Sequence, residues 1–400
     1  MNEQEHHFLW THFNSLQDHR IRRHRKYELI EIIAISVCAV ICGAQGWNDI
    51  ENFGKSKEVW LKKFLDLKNG VPSHDTFRRF FSNLSISAFE EAFRSWIGCS
   101  YLNDKPDDVL AIDGKTLRRS FQKKRTTVHI VSAWSVKDQV VVAQEKVEDK
   151  SCELMAIKSL LRGLPIRDRT ITIDALGCQT EITDIITKSG SFYILSLKAN
   201  QPMTLKKVKH LFDKKINNSE IFSDENTYFS GESRRARKTQ RTTFVIRGKA
   251  GLRRWADLKS VILIKSIRNG KSEERYFISN LNCSAEKFSE IIRSHWGIEN
   301  KLHWSLDVSF HEDDSRLRYK YSAQNFSLLR RISLNLIRQN KATQGISARR
   351  RQAGWDEKFL TEILNGVQAK FVVQRFSSYN LFLSPASYKE SLASTQQSLQ

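Results

Sequence analysis

Cysteine is scarce: the 400 residues hold six, at positions 38, 42, 99, 152, 178 and 283. None forms a Cys-x-x-Cys pair or a Cys/His zinc spacing, which argues against a zinc module and a disulfide framework. Reduced thiols in a cytoplasm are expected. Cys38 and Cys42 stand four apart, neighbours on a helix but no metal site. No apolar run reaches the ~20 residues of a membrane span. LIEIIAISVCAVICGA, residues 29–44, is shorter and carries Glu31, so it is predicted to be a buried helix. The beginning of the chain, with Glu3 and Glu5, shows no short apolar leader. No internal repeat is present. Acidic residues are the minority, 44 against 65 Lys and Arg, giving a net charge of +21. That excess suits a polyanion, because each phosphate contact releases condensed counterions. Membrane-surface binding would need a basic amphipathic helix or a lipid signal, and neither is found. A soluble basic protein without a specific ligand is the plainer alternative. With 40% apolar residues the chain is globular and long enough for two or three compact units.

Residues 1–104 read as an all-helical N-terminal domain that binds DNA. Apolar residues recur at helical spacing in 28–43, 57–66 and 88–97. Gly70 and Pro72 interrupt the pattern, and SHDTFRRFF restarts it with Ser73 as N-cap. DHRIRRHRKYEL contributes Arg22, Arg23, Arg25 and Lys26, and the restarted helix contributes Arg78 and Arg79, as candidate DNA contacts. After the polar break at 101–107 come β-branched segments with alternating polarity. The order is β-β-β-α-β-α-β, with strands in DVLAIDGKTL, TTVHIVSAWSV, QVVVAQEKV, DRTITIDALG and SFYILSLK. Three consecutive strands followed by αβαβ is the ribonuclease H-like order, an antiparallel meander joined to a parallel half. The predicted fold class is therefore α/β, with a mixed five-stranded sheet and flanking helices over 105–200 and 285–340. Residues 201–284, with RRARK at 234–238, read as a β-rich insertion. Much of 285–310 has helical spacing, and SAQNFSLLRRISLNLIRQ comes next as another helix. Residues 341–400 are basic, then Ser- and Gln-rich, with a frayed end expected.

Asp113 ends the first strand in AIDGK, and Asp174 ends the fourth in TIDALG. In the predicted order these strands are parallel neighbours, so both acids lie at the carboxyl edge, where open α/β sheets bind ligands. Glu299, on the helical segment after the insertion, is placed to bring a third carboxylate to that edge. Phosphodiester cleavage uses two hard cations about 3.5–4 Å apart, held by carboxylate oxygens. Two such acids 4 Å apart repel by roughly 4 kcal/mol at an effective dielectric of 20, so the group makes sense with a cation. Each acid alone reads as a turn residue or a solvated surface residue; the case rests on the three together. Lys115, Arg118 and Arg119 come after Asp113, then Lys123, Lys124 and Arg125. Lys198, Asn200 and Gln201 close the fifth strand. Arg293 and His295 precede Glu299. Lys115, Arg118, Arg119, Lys198, Arg293 and His295 are candidate DNA contacts, with His295 alternatively a hydrogen-bond partner of Glu299. His295 and His303 flank Glu299 four residues to either side, but a zinc site would need a further ligand. Trp296 and Trp304 read as core, with base stacking the alternative.

The blocks CAVICGAQGWNDIENFG, GVPSHDTFRRFF, AIDGKTLRRS, TIDALGCQTEI, LSLKANQ and RSHWGIENKLHWSLDVSFHEDDSR carry a resemblance. Over roughly residues 10–370 the chain resembles insertion-sequence transposases of the H-repeat-associated type, within the DDE group. The resemblance implies Asp113, Asp174 and Glu299 as the metal-binding triad, with DNA cleavage and strand transfer using Mg2+ or Mn2+. It also implies double-stranded DNA as partner and a homodimer on it. The wider group's Tyr, Arg, Glu, Lys signature is not kept: His295 and Leu306 stand where it has Tyr and Lys. Two other classes stay open, a decayed or domesticated relative that binds DNA without cutting and a metal-dependent nuclease without strand transfer.

Overall fold

A computed structural model describes residues 7–365 except 22, 24, 100–106, 121–126, 148–151, 219–222, 235, 236 and 249; the side chains of 7, 8, 233, 234, 237 and 238 are also left aside. Helices come first: α1 His7–Thr11, α2 Leu29–Ile41, α3 Trp47–Ser56, α4 Glu58–Leu61, α5 His74–Asn83 and α6 Ile86–Ile97. The apolar run forms α2, and its residues from Glu31 to Ile41 are buried. Glu31 tolerates burial because its carboxylate accepts the backbone N–H groups of Glu28 (2.9 Å) and Leu67 (2.7 Å). Ser73 is the N-cap of α5.

The alternating middle of the chain gives β1 Val109–Thr116, β2 His129–Ser135, β3 Val140–Val147, α7 Glu153–Gly163, β4 Thr170–Ile173, α8 Thr180–Lys188 and β5 Phe192–Leu197. β1–β2 and β2–β3 are antiparallel, whereas β1–β4 and β4–β5 are parallel. The expected meander and parallel half are therefore both present. The next region departs from expectation twice. It opens with a helix, α9 Pro202–Asn217, which starts on a proline and buries only Thr204, Val208 and Phe212. So narrow a stripe in a lysine-rich segment is easily missed. Then β6 Thr227–Arg234, β7 Arg237–Arg247, β8 Ser260–Arg268 and β9 Lys271–Ser279 continue the same sheet. The order is β3-β2-β1-β4-β5-β9-β8-β7-β6, nine strands in all. β9 joins antiparallel to β5, with Leu195 opposite Ile278, and so pairs an edge that a five-stranded sheet would leave open.

The expected helix over 285–310 is also interrupted. It consists of α10 Ala285–His295, a π-helical turn Ile298–His303 and α11 Trp304–Val308. The N–H of Trp304 reaches back to the carbonyl of Glu299, five residues earlier. That extra residue per turn rotates α11 relative to a continuous α-helix, a feature frequent at functional sites. Beyond it lie α12 Ser322–Gln339, α13 Ile346–Trp355 and α14 Glu357–Asn365. The first part of the basic segment after 341 is thus folded. Arg350, in its RRR run, is buried and donates to the carbonyl of Val40 (2.8 Å). Residues 366–400 lie outside the described residues.

α12 is the spine. Sixteen of its eighteen residues are buried, and it packs against α2, α5, α6, α13, α14 and β3. Asn335 acts as a substitute strand there: its amide accepts the Val141 N–H (2.9 Å) and donates to the Val141 carbonyl (2.8 Å). The pairing of β2 and β3 shifts beside that residue. One hydrophobic core runs from α2 through α12 to the sheet. A smaller one lies between α10 and strands β5, β7, β8 and β9.

Candidate active site

β1 and β4 are in parallel register from Val109 opposite Thr170 to Ile112 opposite Ile173. Asp113 and Asp174 come directly after those last partners, so the two acids stand side by side where β4 ends; Asp113 does not end β1 as expected, because that strand runs on against β2 to Thr116. Side chains alternate across a strand, which puts Asp113 on the face of Ala111 and Asp174 on the face of Thr172. α10 packs on β1 and β4, and the π turn carries Glu299. Asp113, Asp174 and Glu299 all line one cavity of about 540 Å3.

Each acid has its own support. Asp174 caps a short 3-10 turn, Ala175–Gly177, by accepting the Leu176 N–H at 3.0 Å. Asn200 and Gln201 hold that turn from the end of β5, donating to the carbonyls of Ala175 (2.6 Å) and Cys178 (2.8 Å). Gly177 lies against Ile173, where a Cβ would come within 2.4 Å. Asp113 faces the ring of His303, Oδ2 to Nδ1 3.7 Å. Burial pulls the His303 imidazole down to about 3, with the charges of Arg331 and Lys115 adding, so the ring is neutral at pH 7. Burial, then the charges of Asp174, Glu299 and Glu153, push Asp113 up to about 7. Burial also raises Asp174; its bond from Leu176 opposes this and the Glu153 charge adds to it.

Glu153 is a fourth carboxylate, and no local pattern in the chain singles it out. It is buried at the start of α7 and pairs with His129 at 3.1 Å. A Cβ on Gly114 would meet Glu153 Oε1 at 2.4 Å and His129 Nε2 at 2.5 Å, so this pair backs β1 on the face opposite Asp113.

The donor set fits a hard divalent cation: carboxylate oxygens, with Asp113 and Asp174 desolvated and the charges of Asp174 and Glu299 raising the proton affinity of Asp113. Among the described residues, however, no three His, Cys, Asp or Glu side chains stand close enough together to hold an ion. The acids share a cavity without converging, and a zinc arrangement around Glu299 is not formed. His295 instead points its Nδ1 at Thr172 Oγ1, 2.9 Å away.

The description "Transposase DDE domain" matches residues 104–336, and "DDE_Tnp_1-associated" matches residues 10–97. The chain belongs to the DDE transposase family. It is 37% identical to the "H repeat-associated putative transposase YhhI" of Escherichia coli (strain K12), over 90% of this chain and 98% of that protein. Identity to the "Putative transposase YncI" of Escherichia coli O157:H7 is 35%, over 89% and 94%. A solved piggyBac transposase synaptic complex with hairpin DNA is 10% identical with a TM-score of 0.42, covering 98% of this chain and 82% of that one.

In this transposase-family chain the expected DNA contacts divide sharply. Arg23, Arg25, Lys26, Arg78, Arg79 and Lys198 are exposed, and Lys198 lines the carboxylate cavity. Arg78 pairs with Asp75 and Arg25 with Asp18. Arg118 and Arg119 are exposed but paired with Asp313 and Asp314. Lys115 departs from expectation: it is 7% exposed and held by Asp307 and Asp313, each at 2.7 Å. It anchors the turn after α11 to β1 rather than facing DNA. His295 departs too, because burial lowers its pKa to about 4 and leaves no charge for a phosphate at pH 7. Trp304, read as core, is 56% exposed. Trp296 is half-buried under the guanidinium of Arg275, 4.6 Å from its ring centre. Arg22, Lys123, Lys124 and Arg125 lie outside the described residues.

Proposed function

We propose that the chain is the transposase of an insertion sequence, cleaving phosphodiester bonds at element ends and joining the freed 3′ ends to target DNA. In this reading the core is a ribonuclease H-like catalytic domain over 105–200 and 285–340, with 201–284 inserted in it. The helices before residue 104 bind the element ends, and the chain works as a homodimer on double-stranded DNA. Asp113, Asp174 and Glu299 hold Mg2+ or Mn2+. When bound, such ions activate the attacking oxygen and stabilise the leaving one. The chain's own part is to present three acids at one sheet edge and hold the Asp174 turn through Asn200 and Gln201. Lys198, on the cavity wall, lends a positive charge to the scissile phosphate.

The observation that carries the reading is that Asp113, Asp174 and Glu299, from two parallel strands and a π turn, line one cavity. The test is purified full chain on duplex DNA bearing the element ends, with Mg2+. Nicking and end joining are expected. Asp113→Asn is expected to bind that DNA normally and lose nicking by at least ~10²-fold, the scale of removing one major transition-state contact. Full nicking by Asp113→Asn overturns the assignment.

A further inference from the structure

Beside the carboxylate cavity runs a second, larger groove of about 1020 Å3, whose walls carry six cationic side chains against three glutamates. One wall is a face of β6–β9, where Glu232 lies opposite Thr239, two residues from Arg241, and Ser266 lies opposite both Arg241 and Glu273. The other wall is α10 with the start of the π turn, bearing Arg293 and Trp296. The two spaces are adjacent, with Glu273, Arg275 and Trp296 lining both.

The glutamates are distributed unevenly. Glu232 reaches across from β6 to pair with Arg293 of α10, and its other oxygen lies 3.3 Å from Arg241 Nη1. A single carboxylate is thus clasped by two guanidinium groups from opposite walls. Arg241 is partly buried, and the charge of neighbouring Arg275 adds to burial in lowering its pKa. Two crowded cations demand an anion. Carboxylate and phosphate are both recognised by the guanidinium fork, so the position Glu232 fills is also a phosphate position.

We propose that this groove takes a DNA strand leading from the carboxylate cavity, and that Glu232 is a placeholder for one of its phosphates, releasing Arg241 and Arg293 to that phosphate on binding. The proposal rests on the reading of DNA as substrate and adds the path and the exchange. Glu232 keeps the groove closed to weaker anions and lowers affinity for DNA, because its own ion pairs must break first.

The test is fluorescence anisotropy of the full chain with a labelled duplex oligonucleotide of arbitrary sequence, without added metal, across a salt series. Glu232→Gln is expected to tighten binding by about 5–10-fold, the effect of removing one like charge from the contact. Glu286→Gln removes an equal charge from an exposed site on α10 outside the groove and is expected to change affinity by less than about twofold. Arg293→Ala and Arg241→Ala are expected to weaken binding and to reduce the salt slope by about one each. Thermal melts check that each variant is folded. Equal tightening by Glu232→Gln and Glu286→Gln overturns the proposal, as does an unchanged salt slope in folded Arg293→Ala. No DNA binding by the unaltered chain overturns the functional reading itself, a result distinct from either.

Discussion

Ile112 stands opposite Ile173 as the last parallel pair of β1 and β4, and each is succeeded by an aspartate. That register makes two acids distant in sequence into neighbours. Both carry raised pKa values with burial as the leading cause, so a divalent cation bound between them, as proposed, would relieve a cost that the folded chain otherwise bears.

Mg2+ is therefore expected to raise the melting temperature of the unaltered protein. At a hundredfold excess over Kd the gain is about 2.7 kcal/mol, about 3 °C for a chain of 400 residues at ~1 °C per kcal/mol. Asp113→Asn should show little or no shift in the same calorimetric titration. An equal shift in both proteins would mean the ion binds elsewhere.

Gly114→Ala is expected to destabilise the protein by ~1–3 kcal/mol, the usual range for overpacking. The new methyl would strike the His129–Glu153 pair, and relief requires moving that pair or the end of β1 that carries Asp113. Denaturant melts measure the first effect and nicking assays the second. An unchanged midpoint would show that the pair simply rotates away.

Glu312 and Arg331 form an ion pair at 2.9 Å with both side chains 0% exposed. Burial works against the Glu312 charge, yet Arg331, Arg330 and Lys115 hold it down at about 2. Removing one partner leaves the other charge buried, so Glu312→Ala is expected to cost ~3–5 kcal/mol. Because Asp313 next door holds Lys115 and Arg118, cleavage should fall together with stability. A melting temperature equal to the parent's would contradict this.

Glu90, buried on α6, is pushed up to about 7, chiefly by burial, with the Glu145 charge adding and a hydrogen bond from Gln144 opposing. Between about 4.5 and 7 the native state holds more protons than the unfolded chain, so stability falls as pH rises through that window. The full cost above it is on the order of 3 kcal/mol. Glu90→Gln should match the parent below pH 4.5 and melt higher at pH 8. Parallel pH curves for the two proteins would reject this.

The strands of the central sheet were legible because β-branched alternation survives in local sequence, and Asp113 and Asp174 because each comes directly after an apolar run, although β1 runs on past Asp113 to Thr116. Helix α9 was hidden by its lysines. The π turn had no readable signal, since Trp304 bonding to Glu299 rather than Asn300 is settled by packing. His295 and His303, symmetric about Glu299 on an α-helix, end against Thr172 and Asp113 instead. Lys115 sits in a basic cluster by sequence, and only the approach of Asp307 and Asp313 makes it an internal anchor.

Sequence alone determined the net charge, the succession of strands and helices through β5 and the two acids that come directly after the apolar runs of β1 and β4, because these depend on composition and local periodicity. Tertiary structure decided that four further strands extend the same sheet, that Glu232 lies between Arg241 and Arg293, that Lys115 is held by Asp307 and Asp313, and that His295 and His303 are neutral at pH 7. Those outcomes depend on burial and on partners far along the chain, and local periodicity does not encode either.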